Sequence, residues 1–176
     1  AGAPTWVASK GFKEYKSVLG GLAYDFKISD KITNSTSIFV NYKDNNEPRP
    51  FDILRQYTFA SGARTQFNGA ISVGKTKALW NLGLEYFRDN YAGKTLENLY
   101  QENNGNGSLE GNKLTETNQD RDFYNAFAQL RVLLSKKFEL QAGLNFNKTK
   151  FNLETLFPIE NASSENYSYD AIWSPQ

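Results

Sequence analysis

The stretch DNNEPRPFDILRQY, running from Asp44 to Tyr57, gathers Asp44, Glu47 and Asp52 with Arg49 and Arg55 around two prolines. Guanidinium groups take up carboxylates or phosphates through paired, charge-assisted hydrogen bonds, so Arg49 and Arg55 are candidates for holding an anionic ligand. Pro48 and Pro50 stiffen the segment, which lowers the entropy lost when such a ligand is held. The same residues have a plainer reading as salt bridges internal to a loop, and both readings stay open at this level.

Other polar clusters are less specific. Glu97, Glu102, Glu110, Glu116, Asp120 and Asp122 lack the spacing of an EF-hand and read as a solvated loop. NNGNG, Asn103 to Gly107, follows no strand in a phosphate-binding pattern. Asn34, Asn106, Asn147, Asn161 and Asn166 each open an N-x-S/T triplet, at a rate chance explains in a chain this rich in Asn, Ser and Thr. There is no Cys and no His, which removes thiolate nucleophiles, disulfides and the usual general base. The expectation is a binding protein without catalytic residues, cofactor or metal site. The net charge is +1 and Lys and Arg are scattered, so nucleic acid is not an expected partner.

The elements that carry these residues follow from a period of two. In FELQAGLNFNKTKF, Phe138, Leu140, Ala142, Leu144 and Phe146 alternate with Glu139, Gln141, Gly143, Asn145 and Asn147. Successive side chains of a strand point to opposite faces, so this is a two-faced strand. Similar alternation marks about Lys16–Ile28, Ile32–Lys43, Ala63–Gly74, Ala78–Asp89 and Asp122–Ser135, although Phe127 and Leu133 interrupt the polar face of the last. Six strands result, in an all-β, antiparallel up-and-down meander. SDK, about KTK and about KK join them in pairs as tight turns, whereas Asp44–Gly62, Asn90–Arg121 and the residues after Asn152 read as long connections.

Long connections all at one end are unlike a Greek-key sandwich and like an outer-membrane barrel, with its short periplasmic turns and long extracellular loops. Aromatics agree. Tyr24, Phe26, Trp80 and Phe138 are expected near the short-turn end of the apolar face, and Tyr42, Phe67, Tyr86, Tyr124 and Phe146 near the other, as two interfacial girdles. Mean hydropathy is −0.61 and no run of about 20 apolar residues exists, so membrane crossing rests on strands. Six strands cannot close such a barrel, since bacterial examples begin at about eight. There is no Met, and DAIWSPQ opens a new aromatic stretch, so residues 1–176 are expected to be one partial barrel segment, without a plug domain, of a longer protein.

With these features on the page, YKDNNEPRPFDIL, FKISDKITNSTSIFVNYK and the closing YDAIWSPQ resemble the barrel of TonB-dependent outer-membrane transporters. The resemblance spans nearly the whole chain but about six of that family's roughly 22 strands. It implies a bacterial outer-membrane location and import of a scarce nutrient, such as an iron-siderophore, captured by extracellular loops and barrel wall. The implied partners are the rest of the barrel, the plug, the small-molecule ligand, the surrounding lipid, and an inner-membrane energy-coupling protein reached through the plug. The alternative is a non-transporting β-sheet binding or adhesion module, as another outer-membrane barrel or a soluble sandwich.

Overall fold

The computed structural model describes residues 5–74, 76–135 and 137–175. Ala1 to Pro4, Lys75 and Lys136 in two of the expected tight turns, Gln176, and the side chain of Val73 lie outside the described residues. A short helix, α1 (Trp6–Ser9), precedes six long strands: β1 (Glu14–Ser29), β2 (Ile32–Pro48), β3 (Asp52–Val73), β4 (Thr76–Asn98), β5 (Glu110–Leu133) and β6 (Glu139–Phe157). Each pairs antiparallel with the next, in chain order. Two short strands follow, β7 (Ser163–Ser168) and β8 (Ile172–Pro175), and both pair with β6. β7 opposes Lys150 to Thr155 and β8 opposes Leu144 to Asn147. The Tyr169 amide donates to the Thr149 carbonyl between them, so β7 and β8 form one seventh strand. Asp170 and Ala171 stand together opposite Lys148 as a bulge.

All six expected strands are present, but they are longer than alternation shows. The expected long connection Asp44–Gly62 is almost wholly ladder, leaving a turn of Arg49, Pro50 and Phe51. Asn90–Arg121 is likewise mostly the ends of β4 and β5, with residues 99–109 between them and a 3-10 turn at Tyr100–Glu102. The chain after Asn152 completes β6 and returns along it as β7. β4 has 23 residues. At about 3.3 Å each and a tilt of roughly 40°, it rises about 55 Å, roughly twice the ~25 Å apolar band of a barrel. Where both faces of a strand meet water, the apolar–polar contrast disappears while the backbone ladder continues.

Exposure alternates as the two-faced reading requires. Along β4, Leu82, Leu84, Tyr86 and Arg88 are exposed, while Asn81, Glu85 and Phe87 are partly covered. Leu22 is 74% exposed, Leu84 59% and Leu140 61%, on one largely apolar face that is interrupted by Asn34, Thr36 and Thr65, which hydrogen-bond to one another. Ile53, Leu96 and Tyr100 are buried in the upper hairpins, beyond the alternating zone, and Ala60 and Gly83 are buried on the polar face of β3 and β4. One girdle residue is displaced from its expected place. β3 begins at Asp52, so Phe67 falls in a row with Leu82 rather than at the upper end, and Phe59, in register with Tyr42, is the aromatic found there. Tyr86 and Tyr124 hold the expected upper position, in register, with ring centroids 5.2 Å apart.

Candidate functional site

The five charged residues read from the sequence divide into separate groups. Arg49 and Asp52 close the β2–β3 turn on each other: Nε and Nη2 of Arg49 donate to the two carboxylate oxygens at 2.6 and 2.8 Å. The Arg49 amide also donates to the Asp52 carbonyl at 2.7 Å. Arg55 reaches across β4, its Nε donating to Glu110 on β5 at 3.1 Å while its Nη2 engages the same oxygen. Glu47 pairs with Lys13 at 3.1 Å. Asp44 stands in register with Lys16 and Tyr57 and lines a small cleft that also includes Asn46 and Arg55. In this structure both guanidiniums are occupied by carboxylates of the chain itself.

These pairs sit in an outer cap that the chain's first described residues help to build. Asn98 at the end of β4 donates to the Arg49 carbonyl at 2.8 Å and to Ser108 Oγ at 2.9 Å. Ser108 in turn donates to the carbonyl of Ser9, which is fully buried at the end of α1. The Thr5 hydroxyl caps α1 by accepting from the Ala8 amide at 3.1 Å. Turn, loop and helix are therefore one hydrogen-bonded unit. Among the described residues the carboxylates between Glu97 and Asp122 do not gather into a metal-holding group. Instead, Glu110, Glu116, Asp120 and Asp122 lie in ion pairs.

The polar face carries a feature the sequence reading missed. Register places Phe39, Gly62, Phe87 and Phe123 in one row across β2 to β5. Phe39 and Phe87 stack with centroids 6.1 Å apart, over Gly62, whose missing side chain leaves the room. Arg121 lies 6.0 Å over the Phe87 ring and pairs with Asp89. One step toward the short turns, Arg64 donates to Glu85 at 2.8 and 3.1 Å. Nearer the outer cap, Asn45 donates to Gln56 at 3.0 Å and Gln56 to the Tyr91 hydroxyl at 2.7 Å. Among the described residues the side-chain amide oxygens of Asn81, Asn125 and Asn145 are buried without a hydrogen-bond partner. A polar face with an aromatic band and exposed charge pairs can bind molecules presenting polar groups and apolar rings. The signal available in sequence was the Phe residues at polar-face positions, but only register joins them.

No protein-family model and no curated protein matches the chain. Solved structures do. The ferric citrate transporter FecA in its unliganded form gives a TM-score of 0.77 at 11% identity, over 93% of this chain and 24% of that one. The siderophore receptor PiuA from Acinetobacter baumannii gives 0.72 at 11% identity, over 95% and 30%. The ferric-catecholate import receptor Fiu from E. coli K12, in an open form, gives 0.65 at 8% identity, over 94% and 32%. At such identities the likeness is one of fold. The chain thus has the fold of a partial TonB-dependent receptor barrel, as its residues suggested, and spans about a quarter to a third of the length of the structures it matches.

Proposed function

We propose that this chain is part of the wall of an outer-membrane TonB-dependent transporter that imports a scarce nutrient such as an iron-siderophore. The observation that carries the reading is the seven-stranded sheet itself, one face of which remains largely apolar and exposed between two aromatic zones while the other is polar and charge-paired. An exposed apolar face of this extent suits hydrocarbon. The apolar face then meets lipid, the polar face lines the lumen, and the upper hairpins project outside the cell. Residues 1–176 act as one barrel segment completed by further strands and by a plug, through which an inner-membrane partner supplies energy.

Ligand capture in this reading falls to the outer hairpins and the upper lumen. Asp44, Glu47, Arg49, Asp52 and Arg55 are the proposed outer set. An anionic ligand group must compete with Asp52 and Glu110 for the two guanidiniums, so capture exchanges one charge-assisted pair for another. The Phe39–Phe87–Phe123 row is the next surface a ligand meets. The test is uptake: cells lacking the parent protein should lose import of labelled ferric siderophore or ferric citrate under iron limitation, and regain it with the intact gene. Unimpaired uptake of every iron chelate tried, with normal growth on limiting iron, would refute the iron-import reading.

A further inference from the structure

Three Asn-Gly bonds occur in the chain, at Asn68, Asn104 and Asn106. Such bonds share a chemical weakness. Glycine has no side chain to shield its amide nitrogen, which can reach the carbonyl carbon of the preceding asparagine side chain. Reaction needs the asparagine backbone to rotate, the glycine amide to be free, and water to enter. The fold meets those conditions at one of the three.

Asn68 and Gly69 lie inside β3 and are paired with β2 and β4 on both sides. Asn68 Oδ1 accepts from Gln66 at 3.1 Å, and the Trp80 ring lies over Gly69. Rotation there would tear the ladder. Asn106 and Gly107 sit in the loop between β4 and β5, but they are tied down. The Asn106 amide donates to the Asn103 carbonyl at 2.9 Å, and the Gly107 carbonyl accepts from Asn103 Nδ2 at 3.0 Å. Gly107 is buried beside Lys10, and Ser108 beyond it is anchored on Asn98 and Ser9. Asn104 and Gly105 differ. Both are exposed, with φ of 49° and 78°, and a Cβ at Gly105 would meet nothing within 4 Å. They are the two central residues of the turn that the Asn106 amide closes, and their left-handed backbone is the one that favours Asn-Gly. Among the described residues the Asn104 side chain makes no hydrogen bond and the Gly105 amide donates to none. The pair that suits the turn is also the pair left free to react.

We infer that Asn104 is a self-modification site, at which the outer loop slowly acquires a carboxylate and a lengthened main chain. The Gly105 nitrogen gives up its proton to solvent base and bonds to the Asn104 side-chain carbonyl carbon. The bond from that carbon to the side-chain nitrogen breaks, and ammonia leaves with a proton from water. A five-membered succinimide remains, and water opens it. Cleavage at the side-chain carbonyl gives aspartate at position 104. Cleavage at the main-chain carbonyl gives isoaspartate, whose main chain runs through the side-chain carbons. Asparagine and water are consumed, and an aspartyl residue and ammonia are formed. Isoaspartate inserts one extra atom between Asn103 and Gly107, the span that the two Asn103 bonds close. Loosening there reaches Ser108 and, with it, the contact of the loop with α1. This chemistry needs only the loop, whatever the barrel carries.

The test uses the folded full-length parent barrel in detergent, held at mildly alkaline pH and sampled over time. Heat-modifiable migration on gels verifies that it stays folded. Trypsin releases residues 65–75, which contain Asn68, and residues 95–113, which contain Asn104 and Asn106. Mass spectrometry with electron-transfer fragmentation locates the product, and methylation by an isoaspartyl methyltransferase counts the isoaspartate. Product should form at position 104 at least about tenfold faster than at Asn106 or Asn68, the factor that breaking one restraining hydrogen bond first would impose. In the urea-unfolded parent the three sites should react at similar rates. Equal rates at Asn104 and Asn106 in the folded barrel, or product in the unfolded chain alone, overturn the assignment. Aged barrel should also be cut by protease within residues 99–109 at least about threefold faster than fresh barrel, and Asn104→Gln, aged alike, should show no gain. Equal cutting of fresh and aged wild type, or an equal gain in Asn104→Gln, overturns the loosening of the loop.

Discussion

Phe39 and Phe87 stack 6.1 Å apart although a whole strand separates them, because the residue between them is Gly62. A Cβ at Gly62 would collide with the Phe39 ring and with the Tyr86 carbonyl oxygen. The ring can swing away but the carbonyl belongs to the adjacent ladder. Gly62→Ala in the parent barrel should therefore lower stability by about 1–3 kcal/mol, the usual range for overpacking. Urea unfolding in detergent measures this. A change within about 0.5 kcal/mol, ordinary for a surface position, would mean the row is loosely packed.

The long strands alter where the protein should be open to attack. β4 remains hydrogen-bonded to β5 as far as Asn98 and Glu110. Protease added to intact cells should cut within residues 99–109 and leave the flanking strands whole. It should also spare the β1–β2 turn at Asp30 and Lys31, which lies at the opposite end of the sheet. Cleavage at Asp30–Lys31 with protection of residues 99–109 would invert the topology.

Arg49 and Arg55 are each tied to a carboxylate, yet both pairs are partly solvent-exposed. Exposed pairs of this kind contribute roughly 0–1 kcal/mol, so Arg49→Ala with Arg55→Ala should change stability by no more than about 1–2 kcal/mol. Charge-assisted bonds to a desolvated ligand are worth about 1.5–3 kcal/mol each, so affinity for an anionic ligand should fall at least tenfold. Asp52→Asn with Glu110→Gln should move affinity upward by freeing both guanidiniums. Equilibrium binding on the parent protein reads both effects. Unchanged affinity in the arginine variant would leave these residues as ties within the cap.

What could be read from the sequence follows the solvent boundary. Leu140, Ala142, Leu144 and Phe146 alternate with polar neighbours because one side of β6 is apolar throughout. In Glu110–Arg121 no alternation exists, although the ladder with β4 is continuous apart from shifts near Leu96. Both faces there are polar, so the strand is specified by its partner rather than by its own pattern. Arg49 and Asp52 are three residues apart, and their pairing was one of two readings open at the outset. Arg55 and Glu110 are separated by another hairpin, and their contact depends on register across β4. The Phe39–Phe87–Phe123 row was hidden for the same reason: each ring interrupts the polar face of its own strand, and only the assembled sheet aligns them.

The account stands most directly on which medium touches each face. Spin labels at Leu84, Leu130 and Leu144, all on the apolar face, should collide with oxygen in reconstituted bilayers and be shielded from a water-soluble relaxant. Labels at Gln129 and Asn145, on the opposite face of β5 and β6, should show lower oxygen accessibility and greater contact with the relaxant or with a packed lumen. That division is the predicted result for a barrel wall. Equal accessibility on both faces, or relaxant contact at Leu84 and Leu144, would contradict it.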